Sequence, residues 1–241
     1  MYTVEFDQII QSRRSNRRFD PNVEVPDDVI KKSLERAILS PNSSNMQLWE
    51  FYWVKSDELK QALVPLCFGQ SAAKTAKHIM VLVTRRDLWP QRAAWNLAKI
   101  KEGIGDQEPT ILQKRGLDYY GKLMPLVYRR DLFGLSSVLR KTICFVMGLV
   151  KPFMRMGGNA DQRVMVHKSC ALAAQTFMLS LTAEGYASCP MEGFDAVRVK
   201  KLLQLPRGAE VNMIVGIGKG TSEGIYNPRI RVPFEEVVFV K

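Results

Sequence analysis

The chain has 241 residues, of which 46% are hydrophobic and 24% are charged, and its formal net charge is +11 at pH 7. This length and composition suffice for a buried core and exclude wholesale disorder. The positive charge is compatible with nucleic acid, an anionic membrane or an anionic small ligand. Because the sequence has no zinc-finger spacing, no RNP-like aromatic motif and no long Lys/Arg tract, we expect no nucleic-acid partner.

The predicted elements begin with a short helix over Val4–Ser12 that buries Phe6. A second helix begins at Val25-Pro26-Asp27-Asp28, because proline suits the first helical position and acidic residues suit the positive end of the helix dipole. It ends at Ser40-Pro41-Asn42. Apolar runs predict three strands, over Phe51–Val54, Ile79–Val83 and Glu210–Gly216.

A long helix is predicted over Gln162–Glu184, with Asp161 as its N-cap and Gly185 just after its end. It is apolar around most of its circumference, which indicates a central helix or the seam of a dimer. Residues 87–159, between the second strand and this helix, are expected to form inserted helical pieces and loops. We therefore expect a single domain over residues 1–241 that carries this insertion.

Part of the insertion, residues 122–155, combines basic and apolar side chains and has one acid, Asp131. Its basic residues are Lys122, Arg129, Arg130, Arg140, Lys141, Lys151 and Arg155. Its longest apolar run, Ile143–Val150, is far shorter than the ~20 residues that span a bilayer. Such a stretch suits either the surface of a membrane or a helical lid that wraps a dimer over its active site.

The remaining polar signals are weaker. The four cysteines form no CxxC pair, so we expect reduced, mostly buried thiols and a cytoplasmic location. The first seven residues lack a basic n-region and an apolar h-region, so we expect no secretory signal. The two histidines, His78 and His167, have no partner at ligand spacing, so neither a metal site nor a histidine-dependent triad is expected.

Two arginine motifs lie near the two ends of the chain. Arg13-Arg14-Ser15-Asn16-Arg17-Arg18-Phe19 places four guanidinium groups within six residues, where they repel one another unless an anion lies among them. Arginine is the side chain best matched to phosphate, because its planar fork donates two parallel hydrogen bonds. Arg229-Ile230-Arg231 directs two further arginines to one side of an extended segment, where they could close on the same anion.

Two further motifs are polar or tightly turned segments. Ser40–Trp49 is a dense run of small polar groups before a strand and can present donors and acceptors to a flat heteroaromatic ring. Cys189-Pro190-Met191-Glu192-Gly193-Phe194 is predicted to be a tight turn whose backbone amide could reach a ring nitrogen. Taken singly, each of the four motifs is better explained by a solvated turn, a connecting loop or a strand edge.

Taken together and in this order, the motifs resemble the FMN-dependent nitroreductase family over residues 4–84 and 160–238. The resemblance implies an α+β, nitroreductase-like fold with a central, mostly antiparallel sheet flanked by helices, a long central helix and an intertwined homodimer. It implies FMN as cofactor and NADH or NADPH as electron donor. The expected reaction is ping-pong reduction of a small electron-poor acceptor such as a nitroaromatic or a quinone, with no protein acid or base required as a catalytic residue.

The resemblance also implies roles for individual residues. Those expected at the phosphate and ribityl chain are Arg13, Arg14, Ser15, Arg229 and Arg231. Arg17 is expected beside the pyrimidine end of the flavin, where its charge would stabilise the reduced form. Those expected along the edge of the ring are Pro190, Glu192, Gly193 and, by a looser match, Gln70. Those expected to cross the dimer interface are Pro41, Asn42, Ser43 and Asn45.

The sequence departs from the family pattern beside Gln47. Met46 and Leu48 replace the commoner small residue and proline, which is expected to alter the shape of the loop and access to the ring. Two alternatives to the nitroreductase reaction remain. One is other flavin chemistry on the same fold, such as dehalogenation, flavin fragmentation or heterocycle dehydrogenation. The other is a flavoprotein that binds a membrane surface or a partner through residues 122–155.

Overall fold

The computed structural model describes residues 2–129 and 134–241, with side chains from residue 5 onward; Arg130, Asp131, Leu132 and Phe133 of the basic segment lie outside the described residues. Along the chain, the α-helices lie before the first strand and between successive strands. The helices are α1 Tyr2–Ser12, α2 Asp27–Ala37, α3 Asp57–Leu66, α4 Ser71–Lys74, α5 Trp89–Ile104, α6 Ile111–Asp118, α7 Met124–Tyr128, α8 Leu135–Val150, α9 Asn159–Ala183 and α10 Ala196–Leu202. The strands are β1 Trp49–Val54, β2 His78–Thr84, β3 Ala187–Met191 and β4 Glu210–Gly218.

The four strands form one antiparallel sheet in the order β1-β2-β4-β3. The α+β class and the antiparallel sheet that the resemblance implies are confirmed, as are the three predicted strands. The predicted turn at Cys189–Phe194 is wrong for its first residues, because Cys189, Pro190 and Met191 belong to β3. An edge strand tolerates Pro190, since a proline there needs no partner for the missing N–H.

The two central strands, β2 and β4, are covered on both faces. Side chains of β2 alternate, with Ile79 and Val81 facing a core that includes Leu63 of α3 and Val199 of α10. Met80 and Leu82 face the opposite core, formed with α2 and α9. This alternation follows from the period of two along a strand, and it places α9 directly beneath the sheet.

The helix boundaries differ slightly from the predictions. Pro26 is the N-cap of α2 and not its first helical residue. Helix α9 begins at Asn159, earlier than predicted, because Gly158 is its N-cap and donates its N–H to the Asp161 carboxylate at 2.9 Å. Asp161 is therefore the third helical residue and not the N-cap. Gly185 follows the helix with φ of 81°, as its predicted position requires.

Two apolar surfaces predicted to be buried are open in the single chain. Phe6 of α1 is 56% exposed, so its predicted burial is wrong within one chain. The buried residues of helix α9 cover about half of its circumference, and Val164 and Leu172 are each 49% exposed. These two residues lie on one stripe of the helix, which is therefore left uncovered in the isolated chain.

Helices α5 to α8 and the π-helical turn Tyr119–Leu123 lie between β2 and α9. A third core cluster joins this segment to the loop before β1, through Met46, Leu48, Ala93, Met124 and Tyr128. Among the described residues, none of the helices has the length and hydropathy needed to cross a bilayer.

Candidate functional site

The two ends of the chain meet at the edge of the sheet. Ser15 forms a parallel bridge with Ser188 of β3, and Phe19 forms an antiparallel bridge with Gly220. The Arg17 N–H donates to the Gly224 carbonyl at 2.8 Å. Residues 13–19 are therefore held between β3 and the segment that follows β4.

This contact encloses a cavity of about 210 Å³, here called the arginine cleft. It is lined by Arg13, Arg14, Ser15, Arg17, Ile225, Tyr226, Asn227, Pro228, Arg229, Ile230 and Arg231. The structure thus brings together the N-terminal and C-terminal arginine motifs. Its lining combines five guanidinium groups with no carboxylate, so the cleft is strongly electropositive and suited to an anion.

Backbone carbonyls hold two of these arginines in place. Arg14 Nη2 donates to the Asn227 carbonyl at 2.6 Å. Arg229 Nη2 donates to the carbonyls of Arg13 at 2.8 Å and Gln11 at 3.0 Å, at the C-terminal end of α1. A cation is favourable there because the last carbonyls of a helix lack intrahelical partners. Arg229 therefore fixes the backbone of Arg13 as well as lining the cleft.

Arg13 is surrounded by like charges in the cleft. Burial lowers the pKa of its guanidinium, and the neighbouring charges of Arg229, Arg231 and Arg14 lower it further. The positive charges thus repel one another within a partly desolvated cavity. A bound polyanion would relieve this repulsion, which is the physical property expected of a phosphate site.

Two cleft residues were not predicted from the sequence. The Arg17 guanidinium carbon lies 5.1 Å from the centre of the Tyr226 ring, within the range of a cation–π interaction. Asn227 accepts the hydrogen bond from Arg14 through its backbone carbonyl, so its residue type in the sequence could not indicate this contact. Tyr226 could have been identified as a candidate, because it is an aromatic residue close in the sequence to Arg229 and Arg231.

The predicted ring-edge residues lie on and after β3. Gln70 Nε2 donates to the Gly193 carbonyl at 2.7 Å and to the Cys67 carbonyl at 3.0 Å, so the structure brings Gln70 and Gly193 together. Pro190 pairs with Val215 of β4. Glu192 is exposed directly before Gly193. Gln70 thus fixes the backbone path of the segment instead of presenting a free amide.

Cys189 lies beside the arginine cleft but remains an ordinary buried thiol. Burial raises the pKa of Cys189, while the charges of Arg17 and Arg13 oppose that rise. The side chain is only 4% exposed. Cys189 therefore packs beside the site as a protonated thiol and is not suited to act as a nucleophile.

The loop Ser40–Trp49 has an unusual backbone. Ser44, Asn45 and Gln47 have φ of 56°, 47° and 48°, in the left-handed region that disfavours residues other than glycine. The Ser43 N–H donates to the Ser169 hydroxyl of α9 at 3.1 Å, and the Gln47 N–H donates to the Asn42 side-chain oxygen at 2.8 Å. Such a conformation persists only where the surroundings enforce it.

Residues of α5 and of the π-helical turn also hold the backbone of this loop in its conformation. Asn96 Nδ2 donates to the Asn45 carbonyl at 2.9 Å, and Asn45 Nδ2 donates in return to Asn96 Oδ1 at 3.1 Å. The hydroxyls of Ser44 and Tyr119 are 2.7 Å apart, and the Tyr120 hydroxyl donates to the Ser44 carbonyl at 3.0 Å. The insertion therefore shapes the loop.

This loop lies away from the arginine cleft of its own chain. Ser43 contacts Ser169 of α9, whereas Arg14 of the cleft shares a neighbouring cavity with Thr182, near the other end of that helix. Thirteen residues separate Ser169 from Thr182, about 20 Å at the rise of an α-helix. The structure therefore does not bring Pro41, Asn42, Ser43 and Asn45 to the arginine cleft within one chain.

The structure is an antiparallel α+β fold whose two ends form a cleft lined by five arginines, a site suited to an anion. The family model described as "Nitroreductase family" matches residues 10–219, and the chain belongs to that family. It is 30% identical over 219 residues to protein DrgA of Synechocystis sp., covering 90% of this chain and 85% of that protein.

Two further proteins show the extent of the similarity. MhqN of Bacillus subtilis, which is named as an NAD(P)H nitroreductase, is 25% identical over 235 residues, with 98% of each chain covered. The crystal structure of a nitroreductase from Exiguobacterium sibiricum in complex with FMN has a TM-score of 0.71 at 21% identity and covers 98% of this chain and 97% of that one. The similarity in fold therefore spans nearly the whole length of both chains.

Proposed function

We propose that this chain is an FMN-dependent oxidoreductase that takes electrons from NADH or NADPH and passes them to a small electron-poor acceptor such as a nitroaromatic or a quinone. The observation that carries the proposal is the arginine cleft, in a chain that belongs to the nitroreductase family. The name of the relative MhqN supports the nicotinamide donor, and the FMN in the Exiguobacterium sibiricum structure supports the cofactor.

The residues of the cleft fit the phosphate end of FMN. A phosphate monoester carries up to two negative charges, and the cleft offers guanidinium groups strained by mutual repulsion. Arg13, Arg14, Ser15 and Arg231 bind the phosphate and the ribityl chain in this proposal. Arg229 has most of its donors engaged with α1, so it serves mainly to hold Arg13 in place.

Residues of β3 and of the segment after it would hold the isoalloxazine ring in this proposal. When bound, FMN supplies the hydride and electron chemistry, and the protein supplies position and charge. Pro190, Glu192 and Gly193 border the ring, with Gln70 fixing the Gly193 carbonyl. Arg17 lies at the pyrimidine end, where a fixed positive charge favours the more negative, reduced form.

The active form is a homodimer in this proposal, which accords with the dimeric state typical of the family. The loop residues Pro41, Asn42, Ser43 and Asn45 lie far from the cleft of their own chain, so a second copy would have to supply them to the ring. Uncovered apolar side chains supply surface for that second copy. They include Phe6, Val164, Leu172, Phe234 and Phe239, whose exposure ranges from 49% to 69%.

Two smaller proposals complete the assignment. Residues 1–241 form one domain with an insertion at 87–159, because the insertion packs into a shared core cluster with the loop before β1. The location is cytoplasmic, which accords with four cysteines that are all buried and unpaired.

The purified protein tests the proposal directly. We expect a yellow preparation that releases FMN in about a 1:1 ratio to chain on denaturation, and NADH or NADPH oxidation that accelerates when menadione or nitrofurazone is added. A protein that neither contains nor binds FMN would contradict the cofactor assignment. Light scattering tests the dimer separately, and a stable monomer that retains FMN would contradict it.

A further inference from the structure

Helix α8 turns an almost wholly apolar face to solvent. Eight of its aliphatic and aromatic side chains are 46% to 82% exposed: Leu135, Val138, Leu139, Ile143, Phe145, Val146, Leu149 and Val150. At 100° per residue these eight positions fall within about half of the helix circumference, with Thr142 among them. This is the reverse of a normal surface helix, whose apolar stripe faces the core.

Contacts on the opposite face fix this orientation. Arg140 Nε donates to the Gly157 carbonyl at 3.0 Å, and its Nη2 donates to the Asn159 side-chain oxygen at 3.1 Å. Cys144 is buried against Gly157, where an added Cβ would lie 2.7 Å from the Cys144 sulfur. Turning the apolar face inward would therefore break the hydrogen bonds of Arg140 and expose Cys144.

The segment after α8 extends the same surface. Phe153, Met154 and Met156 are 41% to 51% exposed. The Arg155 guanidinium donates to the carbonyls of Phe145 and Gly148, which holds the segment against the helix. We call the eight outward side chains of α8, together with Phe153, Met154 and Met156, the α8 surface.

The charges around the α8 surface are mostly positive, and the Asp161 carboxylate lies near Lys141 at Gly158. Between residues 132 and 160 the sequence has no Asp or Glu, and its charged residues are Arg140, Lys141, Lys151 and Arg155. Lys141 and Lys151 are exposed beside the apolar face. An apolar face with basic residues at its margin matches the outer layer of an anionic bilayer, where acyl chains lie beneath negative headgroups.

We propose that the α8 surface inserts into the interfacial region of a bilayer that contains anionic lipid, so that the protein binds membranes peripherally. The 16-residue helix is about 24 Å long, so it can lie in the plane of an interface but is too short to span a bilayer. A twofold contact between two copies of the α8 surface would place its basic residues against themselves, which disfavours self-association.

Vesicle flotation tests this proposal. The full-length protein is mixed with liposomes of phosphatidylcholine and phosphatidylglycerol at 7:3, or with phosphatidylcholine alone, at 50 and 500 mM NaCl. We expect binding to the anionic vesicles at 50 mM NaCl, and at least about threefold weaker binding at 500 mM salt or without the anionic lipid, because the basic residues are screened or lose their partners.

Matched variants locate the binding surface. L139Q/V146Q replaces two outward residues of α8, and L112Q/V197Q replaces two residues of α6 and α10 that are 76% and 79% exposed. We expect L139Q/V146Q to weaken anionic-vesicle binding at least about tenfold, because apolar burial drives insertion, and L112Q/V197Q to bind like the wild type. FMN content and circular dichroism confirm that each variant is folded.

Three results would overturn the proposal. The first is a wild-type protein that does not float with anionic vesicles at 50 mM NaCl. The second is equal binding by wild type and L139Q/V146Q. The third is a shift of L139Q/V146Q to a smaller assembly than the wild type in light scattering, which would assign the α8 surface to an interface between copies. None of these results depends on the proposed electron acceptor.

Discussion

The arginine cleft and the α8 surface are both rich in basic residues, yet they arrange their charges in opposite ways. In the cleft, guanidinium groups from both ends of the chain converge on a concave cavity, and the pKa of Arg13 is lowered by burial and by its neighbours. Around α8, basic side chains lie at the margin of a convex apolar face. The net charge of +11 therefore does not by itself predict one kind of ligand. A cavity lined by basic residues suits a small anion, whereas basic residues around an exposed apolar face suit an extended surface.

The two regions also differ in how they are held. Arg229 contacts residues 216 to 219 positions away in the sequence, which ties the cleft to the global fold. The contacts that fix Arg140 of α8 and Arg155 in the segment after it span at most 19 positions. The cleft is thus held by contacts between the two ends of the chain, whereas the contacts that fix α8 lie within its own segment.

The largest expected effect is the loss of FMN binding when an arginine of the cleft is removed. Arg13→Ala should weaken FMN binding about 100-fold or more, because a charge-assisted contact to phosphate contributes on the order of 1.5–3 kcal/mol per hydrogen bond. Fluorescence titration of the apoprotein with FMN measures it. Arg198→Ala, which removes an exposed arginine that pairs with Asp195, is the control and should bind FMN normally. A change below about threefold for Arg13→Ala would remove the cleft from the cofactor site.

Arg229 and Arg231 are expected to contribute differently to the stability of the apoprotein. Arg229→Ala should lower the free energy of unfolding of the apoprotein by about 1–3 kcal/mol, because the carbonyls of Gln11 and Arg13 lose a charged donor. Arg231→Ala should leave that free energy nearly unchanged, since Arg231 is exposed and, among the described residues, its side chain donates only to the Ile230 carbonyl beside it. Urea denaturation of both variants is the measurement, and equal destabilisation would contradict the positioning role of Arg229.

A substitution in the insertion tests whether the loop serves the cofactor site of a second subunit. Asn96→Ala removes the paired hydrogen bonds to Asn45 and should cost about 1–2 kcal/mol of stability. It should also weaken FMN binding severalfold, although Asn96 does not line the arginine cleft. Lys99→Ala on the same helix is the control and should change neither quantity. Unaltered FMN affinity in a folded Asn96→Ala dimer would place the loop outside the site.

The smallest expected effect concerns the redox potential. Arg17→Gln should lower the midpoint potential of the bound flavin by about 30 mV, which for a two-electron couple corresponds to ~1.4 kcal/mol lost from the reduced form. Arg18→Gln removes the next arginine, which pairs with Glu223 at 2.9 Å, and should leave the potential unchanged. Equal potentials in both variants would show that Arg17 does not lie beside the ring.

Periodic features of the fold were predictable from the sequence, and contacts between distant residues were not. Strands β1, β2 and β4 and helix α9 follow from apolar runs. Strand β3 escaped prediction because it is short and contains Pro190. The arginine motifs indicated an anion site, but nothing local indicates that Arg229 caps α1.

The departure from the family pattern beside Gln47 has a physical explanation in the insertion. Met46 and Leu48 are 1% and 3% exposed and pack with Ala93, Met124 and Tyr128 of the inserted helices. From the sequence they were expected to alter the shape of the loop and access to the ring. The structure shows that they anchor the loop to a segment that the resemblance did not cover, and sequence alone could not identify this partner.

The most direct test of the central claim compares FMN with riboflavin, which lacks the phosphate. If the arginine cleft binds the phosphate, the wild-type apoprotein should bind FMN at least about 100-fold more tightly than riboflavin. Arg13→Ala should lose most of that preference while its affinity for riboflavin stays unchanged. Equal affinities of the wild type for FMN and riboflavin, or a preference that survives in Arg13→Ala, would contradict the account.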